Sequence, residues 1–71
     1  MLGDRIRKIR KQKKLTLEAL AGTELTKGML SLIENNKAKP SMESLVYIAE
    51  RLGVEVTDLL EEVSTQEIRN A

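Results

Sequence analysis

Arg10 and Glu34 are charged residues whose spacing turns them toward apolar neighbours. At about 100° per residue, Arg10 falls about 40° from Ile6 on a helix marked by Leu2, Ile6 and Ile9. By the same arithmetic Glu34 falls about 40° from Leu30 on a helix marked by Leu30 and Ile33. A lone buried carboxylate is costly, so the expectation is a structural ion pair, bidentate if the guanidinium is well placed, tying the first helix to the third. The alternative is that both side chains reach the solvent edge, where such a pair contributes little.

Opposite the apolar stripe of that third helix lie Gly28, Ser31, Leu32 and Asn35, with Lys27 flanking its first turn. An ordinary solvated helix face mixes Glu and Lys, and this one is small and polar instead, so it can lie close against another surface. Lys27 can donate to guanine O6 or N7, Ser31 can donate or accept, and Leu32 can meet a thymine methyl, which makes Lys27, Gly28, Ser31 and Leu32 candidates for reading bases. Plain exposure fits the same periodicity. Phosphate-binding candidates surround the helix: Asn35, Asn36, Lys37 and Lys39 follow it, and Thr16 and Thr26 cap two helix amino termini. Arg5, Lys8, Lys11, Lys13 and Lys14 add positive field, whether they touch an anion or are simply solvated.

Other chemistries are poorly served. The chain has no histidine and no cysteine, so it lacks the usual general base, the usual metal ligands and any nucleophilic triad, and neither an enzyme nor a metal or cofactor site is expected. Residues 1–40 hold ten Lys/Arg against four Asp/Glu, and residues 41–71 two against seven, so a net charge of +1 conceals a basic half and an acidic half. The basic half suits a polyanion. The acidic half, with Tyr47 read as exposed, keeps open a second role as a helical protein-interaction module. No apolar run can span a bilayer and MLGDRIRK lacks a signal-like apolar region, so no membrane association and a cytoplasmic location are expected.

The elements that must position these residues are helical. Leu, Lys, Glu and Ala dominate, Tyr47 is the sole aromatic, and 71 residues make one compact domain. The first helix is expected over Gly3 to Lys13. Thr16 caps a short second helix, Leu17 to Ala21, which Gly22 ends, and after four linker residues Thr26 caps a third helix running to about Asn35. Asn35 to Pro40 reads as a loop. Ser41 caps a fourth helix to about Leu52, with Met42, Leu45, Ile48, Ala49 and Leu52 on its buried stripe and Gly53 at its end. A fifth, short helix holds Leu59 and Leu60. Ser64-Thr65-Gln66-Glu67 then has the form of a capping box, so the domain is expected over residues 1–62, with 63–71 beginning a further helix or a linker to a C-terminal domain.

Taken in order, IRKIRKQKKLTLEALA, LTKGMLSLIENNKAKPS and LVYIAERLGVEVTDLL resemble the Cro and phage-repressor type of helix-turn-helix domain, the XRE family, from about Leu2 to Leu60. The matching positions are Arg10, Leu20-Ala21, Ile33-Glu34, Lys37 to Ser41, Ile48-Ala49 and Leu52-Gly53-Val54. The resemblance implies an all-α, compact, lambda-repressor-like five-helix bundle whose second and third helices form the motif. It implies a transcriptional regulator, most simply a repressor, that places its third helix in the major groove and binds a double-stranded inverted-repeat operator as a homodimer, with no small-molecule site in this segment. Carried over by position, the base readers are again Lys27, Gly28, Ser31 and Leu32. Leu17 stands where many members have a phosphate-clamping glutamine, so that contact is either lost or supplied by Thr16 alone.

Overall fold

The computed structural model describes residues 1–60, and among them every regular element is helical. In chain order these are α1, Leu2–Gln12; α2, Leu17–Ala21; α3, Lys27–Glu34; α4, Met42–Leu52; and residues 56–60, the described part of α5. The all-α, five-helix reading therefore holds. The Ser64 to Glu67 capping box and the division at residues 62 and 63 lie outside the described residues.

Each helix begins and ends where local chemistry allows. The Thr16, Thr26 and Ser41 hydroxyl oxygens accept from the amides of Ala19, Met29 and Ser44 at 3.0, 3.0 and 3.1 Å, satisfying donors that have no partner inside their helices. Glu55 N donates to Asp58 Oδ2 at 2.8 Å at the start of α5. After α1 and α3 the chain leaves through Lys14 and Asn36 in the left-handed region, at φ 57° and 61°. The next amides fold back, Leu15 N to Arg10 O at 3.1 Å and Lys37 N to Leu32 O at 2.9 Å, so orphan carbonyls at both helix ends are used.

All five helices contribute to one core. Ile6 and Ile9 of α1, Leu20 of α2, Leu30 and Ile33 of α3, Ile48 and Leu52 of α4 and Leu59 of α5 are buried together. Helix α3 packs against both α1 and α2, and α2 packs against α4, so α3 is held from two sides and keeps a free third side. One residue departs from the expected stripe of α4, Met42, which is 66% exposed; on α5, Leu59 is buried and Leu60 exposed. Helical angle sets a side chain's direction, but no neighbouring element reaches the first turn of α4 to cover Met42.

The contact of α1 with α3 is unusually close. Gly3 is buried, and a Cβ there would fall 2.7 Å from the Glu34 carbonyl oxygen and closer still to that of Ile33. Only a residue without a side chain lets the first turn of α1 rest on the carbonyl end of α3. In an open helix, Gly to Ala stabilises by about 1 kcal/mol, and Gly28 is such a site, with nothing within 4 Å of the position its Cβ would take. Gly28→Ala is therefore expected to raise the urea midpoint, and Gly3→Ala to lower it despite the same gain in propensity. Equal shifts in one direction would show that the close approach at Gly3 does not constrain the fold.

Candidate nucleic-acid interface

Glu34 is 1% exposed and lies on the core side of α3. Arg10 Nε donates to its Oε2 at 2.7 Å and Arg10 Nη2 to its Oε1 at 3.0 Å, a two-pronged bond between α1 and α3. The remaining guanidinium nitrogen, Nη1, donates to the Leu15 carbonyl at 2.8 Å, so the same side chain also fixes the turn into α2. Among the described residues no buried side-chain nitrogen or oxygen lacks a partner, which is what allows a carboxylate to remain inside so small a domain. Arg7, absent from the sequence reading, adds a second cation: its Nε lies 3.5 Å from Glu34 Oε1. Its signal was its place three residues before Arg10, one turn up the same face.

The remaining tie on the α2–α3 pair comes from α4. Tyr47, read from sequence as exposed, is half-buried, and its hydroxyl oxygen accepts from Thr23 N at 3.2 Å in the turn between α2 and α3. Gly22 opens that turn at φ 57°, ψ −137°, and a Cβ on it would collide with the Tyr47 hydroxyl. Arg51 stacks over the Tyr47 ring at 5.9 Å and donates from Nη2 to the Ala19 carbonyl at the end of α2. The end of α2 and the start of the turn are thus anchored to α4.

What α3 leaves free is the face singled out in the sequence. Lys27 and Gly28 are exposed at its first turn, Leu32 is 43% exposed in its middle, and Ser31 is half-buried on one flank. Met29, on the opposite flank, is 45% exposed and extends the apolar part of this face beyond Leu32. Lys37 and Lys39 are exposed on the loop that follows α3, and Thr16 and Thr26 are exposed at the amino ends of α2 and α3. Because their oxygens accept from backbone amides, both hydroxyl protons remain available to an anion.

The two asparagines are placed differently. Asn36 Oδ1 accepts from Gly3 N at 3.0 Å and its Nδ2 donates to Asp4 Oδ1 at 3.3 Å, so it closes the exposed start of α1. Asn35 Oδ1 accepts from Arg7 Nη2, and its Nδ2 donates to the Ser31 carbonyl at 2.9 Å. Arg5 is likewise engaged, its Nε donating to the Asp58 carbonyl at 3.3 Å and linking α1 to α5.

A family model for the helix-turn-helix domain matches residues 3–64, a span that contains the two short helices and their fixed turn. The chain belongs to the helix-turn-helix domain family. It is 36% identical over 63 residues to an HTH-type transcriptional regulator, DdrOP3, of Deinococcus deserti, an alignment covering 87% of this chain and 49% of the relative. The chain thus spans about half the length of that curated relative. Its fold is also similar to the crystal structure of the restriction-modification controller protein C.AhdI from Aeromonas hydrophila, with a TM-score of 0.78 at 27% identity, covering 82% of this chain and 89% of the other. The family assignment agrees with the resemblance read from the sequence, and the motif's two helices are α2 and α3.

Removing one partner of a buried ion pair strands the other and costs about 3–5 kcal/mol, whereas replacing both with apolar residues of similar size is often close to neutral. Glu34→Ala is accordingly expected to lower the melting temperature of the helix-turn-helix by more than about 10 °C. The double variant Arg10→Met/Glu34→Leu should recover most of that loss. A Glu34→Ala melt at the parental temperature would mean that the pair does not hold α1 to α3.

Proposed function

We propose that this chain is the DNA-binding part of a transcriptional regulator, a non-enzymatic protein that reads a double-stranded operator by laying α3 in the major groove. The observation that carries this reading is the outer face of α3. It is exposed and nearly free of bulky charge, and its helix is fixed from behind by a buried bidentate pair and from the side by α2, which α4 holds in turn. A rigid helix with a light outer face is what major-groove entry requires. Membership of the helix-turn-helix family and similarity to a transcriptional regulator and a controller protein support it.

In this reading Lys27, Gly28, Ser31 and Leu32 face the bases, with Gly28 admitting close approach of the helix backbone. Thr16, Thr26, Lys37 and Lys39 meet phosphates on either side. Asn35 and Asn36, whose side chains bond within the protein, act by placing those groups. The regulator is a repressor acting in the cytoplasm, bound as a homodimer to an inverted repeat. Residues 1–62 form the DNA-binding unit, and residues 63–71 lead toward a C-terminal part.

A second reading has one specific observation in its favour. Met42 and Val46 are exposed on α4, rimmed by Glu24, Glu43 and Glu50, which makes a small apolar and acidic surface. A protein partner docked there would bind with little dependence on salt.

Selection from a random DNA pool at two salt concentrations separates the two. Lys37 and Lys39 on both halves of a dimer would neutralise four phosphates, so affinity for the selected motif should fall by about a hundredfold between 50 and 200 mM salt. Lys27→Ala combined with Ser31→Ala should weaken binding to that motif while leaving the melting temperature within a few degrees of the parent. Failure to enrich any motif at either salt would overturn the DNA-binding reading.

A further inference from the structure

A serine hydroxyl can donate or accept, so Ser31 by itself specifies no base edge. Its surroundings narrow that freedom. Asn35 Nδ2 donates to the Ser31 carbonyl at 2.9 Å and also lies 3.4 Å from Ser31 Oγ. On the far side of the same amide, Oδ1 accepts from Arg7 Nη2. A guanidinium only donates and a backbone carbonyl only accepts, so both neighbours demand one orientation of the Asn35 amide. Arg7 is fixed in turn by Glu34, whose Oε1 lies 3.5 Å from its Nε and which Arg10 already grips. Donation therefore runs in one direction, from Arg7 through Asn35 to Ser31. It meets Ser31 Oγ as an acceptor, which occupies one of its two lone pairs, keeps the hydroxyl proton off Asn35 and biases Ser31 toward donating outward.

We infer that Arg7 is a positioning residue for base reading: by orienting Asn35 it makes Ser31 present a donor, and so selects a base-edge acceptor at the position Ser31 faces. In the major groove those acceptors are guanine N7 and O6, adenine N7 and thymine O4, while the amino groups of cytosine and adenine are disfavoured. This rests on the DNA-binding reading proposed above. It differs from a phosphate contact by Arg7, which would strengthen binding to every sequence alike and steepen the salt dependence.

The test uses the full chain, the motif selected by the wild type and that motif's single base-pair substitutions. Ser31→Ala should flatten the preference at one position of the half-site by about fivefold, the scale of one hydrogen bond. Arg7→Met should flatten the same position by a similar factor, leaving the other positions and the salt dependence unchanged. The double variant should lose no more than Ser31→Ala alone. If Arg7→Met melts early, Asn35→Ala, which keeps Arg7, Arg10 and Glu34, replaces it and must flatten that same position. Uniform weakening, flattening at a different position, or no change of preference overturns the inference while the wild-type motif still stands. A wild type that selects no motif overturns the DNA-binding reading beneath it.

Discussion

A carboxylate buried on the core side of α3 must be paired, and the guanidinium that pairs it decides where α1 must lie. Arg10 makes two bonds to Glu34 and uses its third nitrogen on the Leu15 carbonyl, so one side chain fixes the α1–α3 packing and the entry to α2 together. Gly3 lets the start of α1 rest on the carbonyl end of α3, and Asn36 closes that junction from the loop. The position of α3 is therefore set by directional polar contacts as well as by apolar burial. A core of Leu, Ile and Ala alone would tolerate small rotations of a helix, whereas a bidentate pair does not.

That rigidity suits a surface that must match another molecule with few side chains. An eight-residue helix offers four or five outward positions, and a displacement of about 1 Å in a supporting element is enough to loosen a site. Here α3 is held by α1 through Arg10 and Arg7, and its approach from α2 is held by α4 through Tyr47 and Arg51. Apart from Asn35, which joins Ser31 to Arg7, the free face then carries no structural duty of its own. Gly28, Leu32 and Lys27 can be replaced without disturbing the core, so the same scaffold can present different outer faces.

Much of this was legible in the sequence because helices announce themselves by period and by caps. The three capping hydroxyls, the buried stripe of α3 and the inward aim of Arg10 and Glu34 all follow from positions a few residues apart. What could not be read were contacts between residues far apart in the chain. Arg7 with Asn35, Asn36 with Gly3, and Tyr47 with Thr23 join positions 24 to 33 residues apart, and helical angle names a face without naming the partner opposite. Met42 shows the converse: its angle agrees with Leu45 and Ile48, yet nothing packs over the end of α4. The asparagines after α3 drew attention as polar residues beside a basic loop, and only the folded chain reveals that their side chains turn back onto α1 and Ser31.

The proposed function requires that the outer face of α3, and not that of α4, meets the partner. An NMR titration of the isotopically labelled chain with a DNA duplex taken from the selected pool tests this directly, residue by residue. The largest amide shifts are expected at Lys27, Gly28, Ser31 and Leu32, with Thr16, Lys37 and Lys39 next and Val46 and Glu50 on the outer face of α4 unmoved. Shifts concentrated at Met42, Val46 and Glu50, with α3 silent, would contradict it.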